Sequence, residues 1–258
     1  MSSLISVIAG SRRRFDPDAL AYFSRITAAG SSITDGNKLA VDAFIKGCKT
    51  DGIWSAIKAC CLLAGPDTLA GALVPLVGAA PTNVGGLFID SDYVRTTGLI
   101  GNGTTTYLDS NRNNNTDPLN SQHISAWATT ADTTTSGNPA IIGCGLASNA
   151  SHIGFALAGN DYFVRSRSNT AVLGIPIART TGFHGLTRGS SSNVTYRIGA
   201  ATGSPNLSSV DAFNSTIKVF ARDGTPYWKG RLSFYSIGEN IDLALLDARV
   251  STYMSSLT

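Results

Sequence analysis

The acidic side chains limit the chemistry that this chain of 258 residues can perform. Glu239 is its only glutamate, whereas glycosidases generally place a carboxylate on either side of the scissile bond. Glu239 precedes Asn240 and Asp242 at the start of an apolar stripe, which is typical of an acid that stabilises a helix N-terminus. The closest aspartate pair, Asp90 and Asp92, alternates as solvent-facing strand positions do. We therefore predict no catalytic residues.

Histidines and cysteines are the other candidates for catalysis or metal binding. His123, His152 and His184 each lie alone in a strand-like segment, and the sequence has no GxSxG elbow for a serine nucleophile. The cysteines form no CxxC pair and have no histidine at metal-ligand spacing, so we interpret them as buried, small apolar side chains. The glycines that begin at Gly98 open a turn and not the helix that a dinucleotide site requires. The sequence predicts no metal and no cofactor.

A polar stretch from Asp109 to Pro118 is the best candidate for ligand binding. Its carboxylate and amide groups suit sugar hydroxyls or calcium. Calcium is disfavoured, because the stretch has no turn glycine and no glutamate that follows it. An ordinary surface loop is the alternative interpretation. We also predict that Trp228 is exposed, since an exposed aromatic ring can stack on a sugar. The predicted ligand-binding residues are Asp109, Asn111, Asn113 and Trp228.

The composition indicates which scaffold carries these residues. Only 14% of the residues are charged, against about 25% in an average soluble domain. The net charge is +3 and the basic residues cluster only at Arg12-Arg13-Arg14, which argues against nucleic-acid binding. Glutamate and lysine are scarce and there are 27 glycines, a composition typical of β structure with many turns. The weakly polar run over 53–80 contains charges and prolines, so we predict no membrane span.

The first third of the chain predicts three amphipathic helices. Asp16-Pro17 provides a cap and an N-terminal proline for a helix that ends at Gly30. Apolar residues at helical spacing predict a second helix over 37–49 and a third over 52–64. Such short helices bury too little area to be stable alone. We expect this helical lead-in, residues 15–80, to pack on the rest of the chain.

From about Leu87 the apolar residues change to a period of two. About ten short strands without intervening helices predict an antiparallel sandwich or jelly roll. Ala158-Gly-Asn-Asp and Arg222-Asp-Gly have the residues of hairpin turns. The apolar stripe from Ile241 to Leu257 predicts a helix that closes the sandwich. The predicted fold is therefore mainly β, with the sandwich and its C-terminal helix spanning 81–258.

Several blocks of the sequence together resemble a module of structural and tail-associated proteins of tailed bacteriophages. The blocks, in chain order, are Phe15–Phe23, Ile45–Ala59, Tyr107–Asn115, Gln122–Ala128 and Arg231–Leu246. The first two resemble the module's helical lead-in and the others resemble its body. That body is similar to concanavalin A-like (laminin-G-like) jelly rolls, in which the last strand leads into a closing helix. The resemblance covers about residues 15–257 and implies a virion component without catalytic residues.

Three functions follow as hypotheses. The first is a non-enzymatic structural component of a bacteriophage capsid or tail, made in the host cytoplasm and located in the virion. It would assemble as a homo-oligomer, preferentially a trimer, and bind other virion proteins through an extended arm, Met1–Arg14. The alternative is a phage tail module that binds a glycan on the host surface. A third hypothesis is a glycan-cleaving enzyme that depends on Asp90 or Asp92, and the single glutamate argues against it.

Overall fold

Two β-sheets and a layer of helices form the fold. The computed structural model describes residues 14–85, 87–146, 148–155, 161–224 and 226–258. Within these ranges a nine-stranded and a seven-stranded sheet face each other, and the paired strands are antiparallel. This confirms the prediction of a mainly β sandwich with helices near both ends.

The strands are numbered in chain order. They are β1 (Ile57–Leu62), β2 (Pro75–Val77), β3 (Thr82–Val84), β4 (Tyr93–Val94), β5 (Gly98–Ile100), β6 (Tyr107–Asn113), β7 (Gln122–Thr130), β8 (Ala140–Cys144), β9 (Ser151–Phe155), β10 (Tyr162–Ser166), β11 (Val172–Ile175), β12 (Gly182–Arg188), β13 (Thr195–Ile198), β14 (Ala201–Gly203), β15 (Thr216–Val219) and β16 (Arg231–Gly238). The nine-stranded sheet has the order β14-β13-β12-β7-β16-β1-β2, and β5 pairs with both β16 and β4. The seven-stranded sheet has the order β11-β10-β9-β8-β15-β6-β3.

The helices begin where the sequence provides caps. They are α1 (Pro17–Ala28), α2 (Asp35–Thr50), α3 (Leu69–Ala72) and α4 (Leu243–Ser255), and 3-10 turns span Trp54–Ala56 and Asp90–Asp92. The Asp16 carboxylate accepts a hydrogen bond from the Asp18 amide at the start of α1, and the Asp242 carboxylate caps α4 in the same way. The first two predicted helices and the closing helix are confirmed. None of the helices among the described residues is long and apolar enough to cross a membrane.

The predicted third helix over 52–64 is wrong, because this segment becomes strand β1 in the middle of the sandwich. Cys60 pairs with Ser236 and Cys61 pairs with Tyr235 on β16. Both faces of β1 are buried, so its apolar residues do not alternate with polar ones, and such a run cannot be told from a buried helix by its period. The interpretation of the cysteines as buried apolar side chains is confirmed, since all four are buried free thiols.

Two hydrophobic cores share the nine-stranded sheet. One lies between the sheets and includes Cys61 and Tyr235. The other lies between the outer face of the nine-stranded sheet and the helices, where the Phe44 ring centroid is 5.9 Å from that of Phe234 and 6.1 Å from that of Tyr253. In the described part of the chain, the helices therefore cover the nine-stranded sheet and leave the outer face of the seven-stranded sheet open.

Two sequence predictions fall outside the described residues. The first is the turn that begins at Ala158, of which only Asp161 is described. The second is the N-terminal arm apart from Arg14, whose carbonyl oxygen accepts a hydrogen bond from Lys46 at 2.8 Å. Both remain predictions.

Candidate functional site

Three of the predicted ligand-binding residues lie together on β6. The stretch that begins at Asp109 is therefore largely a strand, and the surface-loop interpretation applies only beyond Asn113. The Asp109 carboxylate accepts a hydrogen bond from the Thr216 hydroxyl at 2.6 Å. The amide nitrogen of Asn113 donates to the Asn214 side chain at 2.9 Å. Both side chains thus bind neighbouring parts of the protein itself.

Asn111 has a local structural role on the same strand. Its backbone φ is +56°, a left-handed conformation in which asparagine is more common than most other residues. Its amide nitrogen donates to the Ala80 carbonyl at 2.8 Å and to the Thr82 hydroxyl at 2.9 Å. These contacts connect β6 to the segment that enters β3.

Trp228 does not join this group, and the prediction that it is exposed is wrong. Its side chain is fully buried in the core between the sheets, with its ring centroid 6.0 Å from that of Phe220. A ring in this position cannot stack on a sugar at the surface. In the sequence Trp228 lies between Tyr227 and Lys229, and this local pattern does not specify whether the side chain of Trp228 faces the core or the solvent.

The candidate carboxylates are dispersed. Asp90 and Asp92 lie on a 3-10 turn and not on the predicted strand. The Asp92 carboxylate accepts a hydrogen bond from the backbone amide of Ile89 at 3.0 Å. Glu239 forms an ion pair with Lys58 at 2.9 Å, and this hydrogen bond holds its carboxyl pKa below the usual value. No three His, Cys, Asp or Glu side chains among the described residues are placed to hold a metal ion.

The three histidines occupy separate strands, as predicted. His123 lies on β7, His152 on β9 and His184 on β12, and each is buried. Burial lowers the pKa of both His123 and His184 to about 4. Because the rings of His123 and His184 are neutral and enclosed, we assign these two histidines to the interior of the fold and not to a shared site. His152 lies on the outer face of the seven-stranded sheet.

A polar groove lies where the edge of the nine-stranded sheet meets α4. It encloses about 370 Å³. Its walls are strands β12, β13 and β14 and the first turn of α4. We call it the polar groove and define it by its polar lining side chains, which are Thr187, Thr195, Arg197, Thr202, Asn240 and Asp242. Ile241, Leu243 and Ala244 provide apolar surface in the same groove.

One wall of the polar groove joins β12 to the loop before α4. The Thr187 hydroxyl lies 2.9 Å from the Asn240 side-chain oxygen and donates to it or to the Gln122 carbonyl. It also accepts a hydrogen bond from the Ile241 backbone amide at 3.2 Å. Asn240 is exposed, and its oxygen is engaged in this wall. Its amide nitrogen, which carries two N–H donors, is therefore the end of the side chain suited to a ligand.

The opposite wall carries a fixed pair of charges. The Arg197 guanidinium on β13 donates to the Asp247 carboxylate on α4 at 2.7 Å and to the Thr202 hydroxyl at 3.3 Å. Period two along β13 puts Thr195 on the same face as Arg197. The Asp247 carboxylate therefore fixes the orientation of the Arg197 guanidinium, whose remaining N–H donors lie in the groove beside two hydroxyl groups.

Sequence reasoning did not identify the polar groove. Asn240 and Asp242 were recognised only as residues at a helix start, and the strand that holds Arg197 was recognised only by its alternation. The groove exists because β13 pairs with β12 and α4 docks against both. These contacts join segments that are far apart in the sequence, such as Thr187 and Asn240 with a separation of 53 residues, and no local pattern specifies them.

Comparison with known proteins shows the fold. No family model and no curated protein matches the sequence. The solved structure of the botulinum neurotoxin serotype D binding domain is similar, with a TM-score of 0.52 and 11% identity over 76% of this chain and 51% of that one. The receptor binding domain of botulinum neurotoxin D has a TM-score of 0.50 and 12% identity over 76% of this chain and 52% of that one. The chain thus spans about half the length of these structures.

A sialidase of Trypanosoma rangeli in complex with 2,3-difluorosialic acid is more distant, with a TM-score of 0.47 and 10% identity over 83% of this chain and 38% of that one. The likeness to the two neurotoxin domains places the chain among antiparallel β-sandwich proteins.

Proposed function

We propose that this protein is a non-catalytic glycan-binding module and that the polar groove holds part of the glycan. The observation that carries the proposal is the lining of the groove, where hydroxyl, amide and paired charged groups surround an apolar strip. The fold is consistent with such a role, since a similar solved structure is described as a receptor binding domain.

The lining matches the chemistry of a sugar. A sugar hydroxyl both donates and accepts hydrogen bonds, so its site needs both kinds of group. The Arg197 guanidinium provides donors, the Thr195 and Thr202 hydroxyls provide both donors and acceptors, and the Asn240 amide adds further donors. The C–H face of a sugar ring is apolar and is suited to Ile241 and Leu243.

Binding is favoured over hydrolysis because the carboxylates of the groove are already engaged. Asp242 accepts hydrogen bonds from the amides of Ala244 and Leu245 at 2.8 and 3.1 Å and so caps α4. Asp247 is paired with Arg197. Glycosidic cleavage generally needs one carboxylic acid and one free carboxylate on either side of the bond, and this groove does not present them.

Arg197→Ala tests the proposal. We expect purified protein to bind a subset of glycans on an array and in titration calorimetry. Arg197→Ala should weaken that binding by about tenfold or more, because a hydrogen bond to a charged group contributes about 1.5–3 kcal/mol. The matched control is Arg249→Ala, which removes a similar ion pair with Asp51 from the same helix α4.

The control separates loss of a contact from loss of structure. Both ion pairs are partly exposed, so each substitution should change the free energy of unfolding by only about 0–1 kcal/mol. Equal loss of binding in both variants would contradict the assignment to the polar groove. Absence of binding to every glycan tested at millimolar concentration would contradict the function itself.

Assembly on a bacteriophage particle is a second proposal, and the sequence resemblance favours it. In that setting the module would bind a host-surface glycan, form a homo-oligomer, preferentially a trimer, and attach to other virion proteins through Met1–Arg14. Native mass spectrometry of the purified protein tests the trimer. Mass spectrometry of purified phage particles from an infected host tests the location, and particles that lack this chain would contradict it.

A further inference from the structure

A second pocket, of about 190 Å³, lies on the open face of the seven-stranded sheet. Tyr162 and Val164 of β10 face the core between the sheets. Period two therefore puts Phe163 and Arg165 on the opposite, outer face. His152 of β9 is the direct neighbour of Arg165 in the sheet.

We call this second site the arginine pocket. It is defined by four of its lining residues, which are His152, Phe163, Arg165 and Arg222.

Two glycines form the floor of the arginine pocket. A Cβ atom on Gly143 of β8 would lie 2.4 Å from the Cβ of His152, and one on Gly154 of β9 would lie 2.5 Å from the Phe163 ring. Such distances do not occur between real side chains, so only glycine permits the two rings to lie against the sheet. The rings meet edge to face, with their centroids 5.0 Å apart. The two glycines and the two aromatic rings, which occupy four positions on three strands, therefore match one another sterically.

The arginine pocket is positively charged. The Arg222 guanidinium lies 5.2 Å from the Phe163 ring centroid and donates to the Asn138 carbonyl at 3.3 Å. Arg222 forms no ion pair with any described residue, and the described side chains that line the pocket include no carboxylate. Burial, and to a smaller extent the charge of Arg165, lower the pKa of Arg222. The site therefore holds positive charge that the described residues do not neutralise.

The adjacent carboxylate, Asp223, is engaged elsewhere. Its oxygens bind the Lys218 ammonium, the backbone amide of Gly145 at 2.8 Å and the Ser215 hydroxyl at 3.4 Å. Because these partners hold Asp223, it does not serve as the counter-charge of Arg222.

The arginine pocket contains buried polar atoms for which the described residues provide no hydrogen-bond partner. They include Nε of Arg222 and Nδ1 of His152, whose side chain is only 1% exposed. Leaving a buried polar atom unpaired is destabilising. Two such atoms in one surface pocket are positions at which a single ligand can supply the missing bonds.

The rim of the arginine pocket is apolar. Leu146 and Leu173 are 54% and 70% exposed, and both line the pocket with Phe163. A small inorganic anion would make no use of this apolar surface. The site is instead suited to an anion that is attached to a carbon skeleton of about the size of one sugar ring.

We propose that the arginine pocket binds the carboxylate of an acidic sugar residue. The Arg222 guanidinium holds the carboxylate, since the planar fork of arginine matches its two oxygens. Arg165 lines the same pocket and adds positive charge beside it. Nδ1 of His152 forms a hydrogen bond with a hydroxyl of the same sugar. Phe163 and the two leucines contact the carbon atoms of the sugar. The sugar part of this ligand rests on the proposed glycan-binding function, whereas the carboxylate rests on the pocket alone.

The test uses the full chain and matched pairs of ligands. Galacturonate, glucuronate and N-acetylneuraminate are titrated by ligand-observed NMR, each beside its methyl ester, which removes only the charge. Galactose and inorganic phosphate complete the set. We expect at least one of the three acids to bind at millimolar concentration and its ester to bind at least about tenfold more weakly.

Arg222→Gln and Arg179→Gln are the variant and its matched control. Arg179 has a similar environment outside the arginine pocket. Its guanidinium lies 5.0 Å from the Phe155 ring centroid and donates to the Asp132 carbonyl at 3.0 Å, and its buried Nε has no partner among the described residues. Arg222→Gln should weaken binding of the acid about tenfold, and Arg179→Gln should leave it unchanged. Arg222→Lys, which retains the charge without the planar fork, should give an intermediate affinity.

Several outcomes would overturn this inference. They are equal affinity for an acid and its ester, equal effects of the two arginine variants, binding of phosphate as tight as that of the sugar acids, or no binding of any of the three acids. If neutral glycans bind and Arg197→Ala abolishes that binding while the acids do not bind, this inference fails and the proposed function stands. If an acid binds but its affinity responds to Arg197→Ala and not to Arg222→Gln, the ligand is correct and the pocket is wrong.

Discussion

At the scale of single residues, buried histidines make the folded state sensitive to acid. Nδ1 of His123 donates to the Glu239 carbonyl at 2.6 Å, and its Nε2 accepts from the Ser236 hydroxyl at 2.5 Å. His184 donates to the Gly182 carbonyl at 3.0 Å and accepts from the Tyr162 hydroxyl at 2.8 Å. In each ring the accepting nitrogen is unprotonated only in the neutral form, and burial disfavours the charged form.

The free energy of unfolding should therefore fall as the pH drops from about 6.5 to 4. The unfolded chain binds a proton at each histidine near pH 6.5, whereas His123 and His184 in the folded protein do so only at about 4. The difference corresponds to about 3 kcal/mol for each of these two residues. This loss is large beside the total stability of a typical domain, about 5–15 kcal/mol. Urea unfolding at a series of pH values between 7 and 4 measures it.

A histidine variant identifies the source of this dependence. His184→Gln keeps a neutral polar side chain, so it should reduce stability at pH 7 but make the fall between pH 6.5 and 4 clearly shallower. In the folded protein the carboxyl pKa values of Asp132 and Asp223 are lowered from 3.8. Protonation of these two groups therefore destabilises the fold only below about pH 4. A stability that is constant down to pH 4.5 would contradict the assignment.

At the scale of elements, α2 and α4 are joined by one arginine. The Arg249 guanidinium of α4 donates to both Asp51 oxygens at the end of α2, at 2.6 and 2.7 Å. Its side chain passes over Gly47, where an added Cβ would lie 2.7 Å from the Arg249 Cδ. The glycine lowers the intrinsic stability of α2 and at the same time makes room for the contact between the helices.

The effect of Gly47→Ala should therefore depend on Arg249. In the Arg249→Ala background, the alanine should stabilise the protein by about 0.5–1 kcal/mol, because the helix propensity acts without a clash. In the natural sequence the gain should be absent or reversed, since the arginine must move. A thermodynamic cycle of the four proteins in urea measures the coupling. Additive effects would show that the arginine is free to shift at no cost.

The elements also show which features of the fold a local pattern can specify. Helices α1, α2 and α4 were predicted because Asp16-Pro17 and the helical stripes act within a few residues of the chain. Strand β1 was missed because it is buried on both faces, so that the alternation that identifies a strand is absent. Trp228 was wrongly predicted to be exposed, because the residues next to it in the sequence do not indicate which side of the chain is buried. Burial on one side or the other is decided by the partner sheet and not by the neighbouring residues.

At the scale of the whole molecule, both candidate sites arise from contacts between distant segments. The polar groove requires β12 and β13 from the middle of the chain and α4 from its end, and the arginine pocket combines β9, β10 and Arg222. The sequence predicted the polar residues of β6 as a site because they are adjacent in the chain. Residues that come together only through sheet pairing leave no such pattern, which is why the sites could not be predicted although the sandwich could.

The nine-stranded sheet should make the molecule unfold as one unit. Strands β1 and β16 contribute to both hydrophobic cores, with Cys60 and Phe234 in one and Cys61 and Tyr235 in the other. Neither core can open without exposing the shared strands to water. Hydrogen exchange measured by mass spectrometry in increasing denaturant should therefore show peptides from α2 and from β8 opening at the same denaturant concentration.

Arg249→Ala provides a sharper form of this test, because it removes a contact only on the helical side of the sheet. If the two cores are one cooperative unit, the variant lowers the opening midpoint of α2 and of β8 by the same amount, although β8 lies in the other sheet. If the helices form an independent unit, only the α2 peptides shift. The second result would mean that residues 15–80 can be released from a sandwich that stays folded, in spite of the two strands, β1 and β2, that they contribute to it.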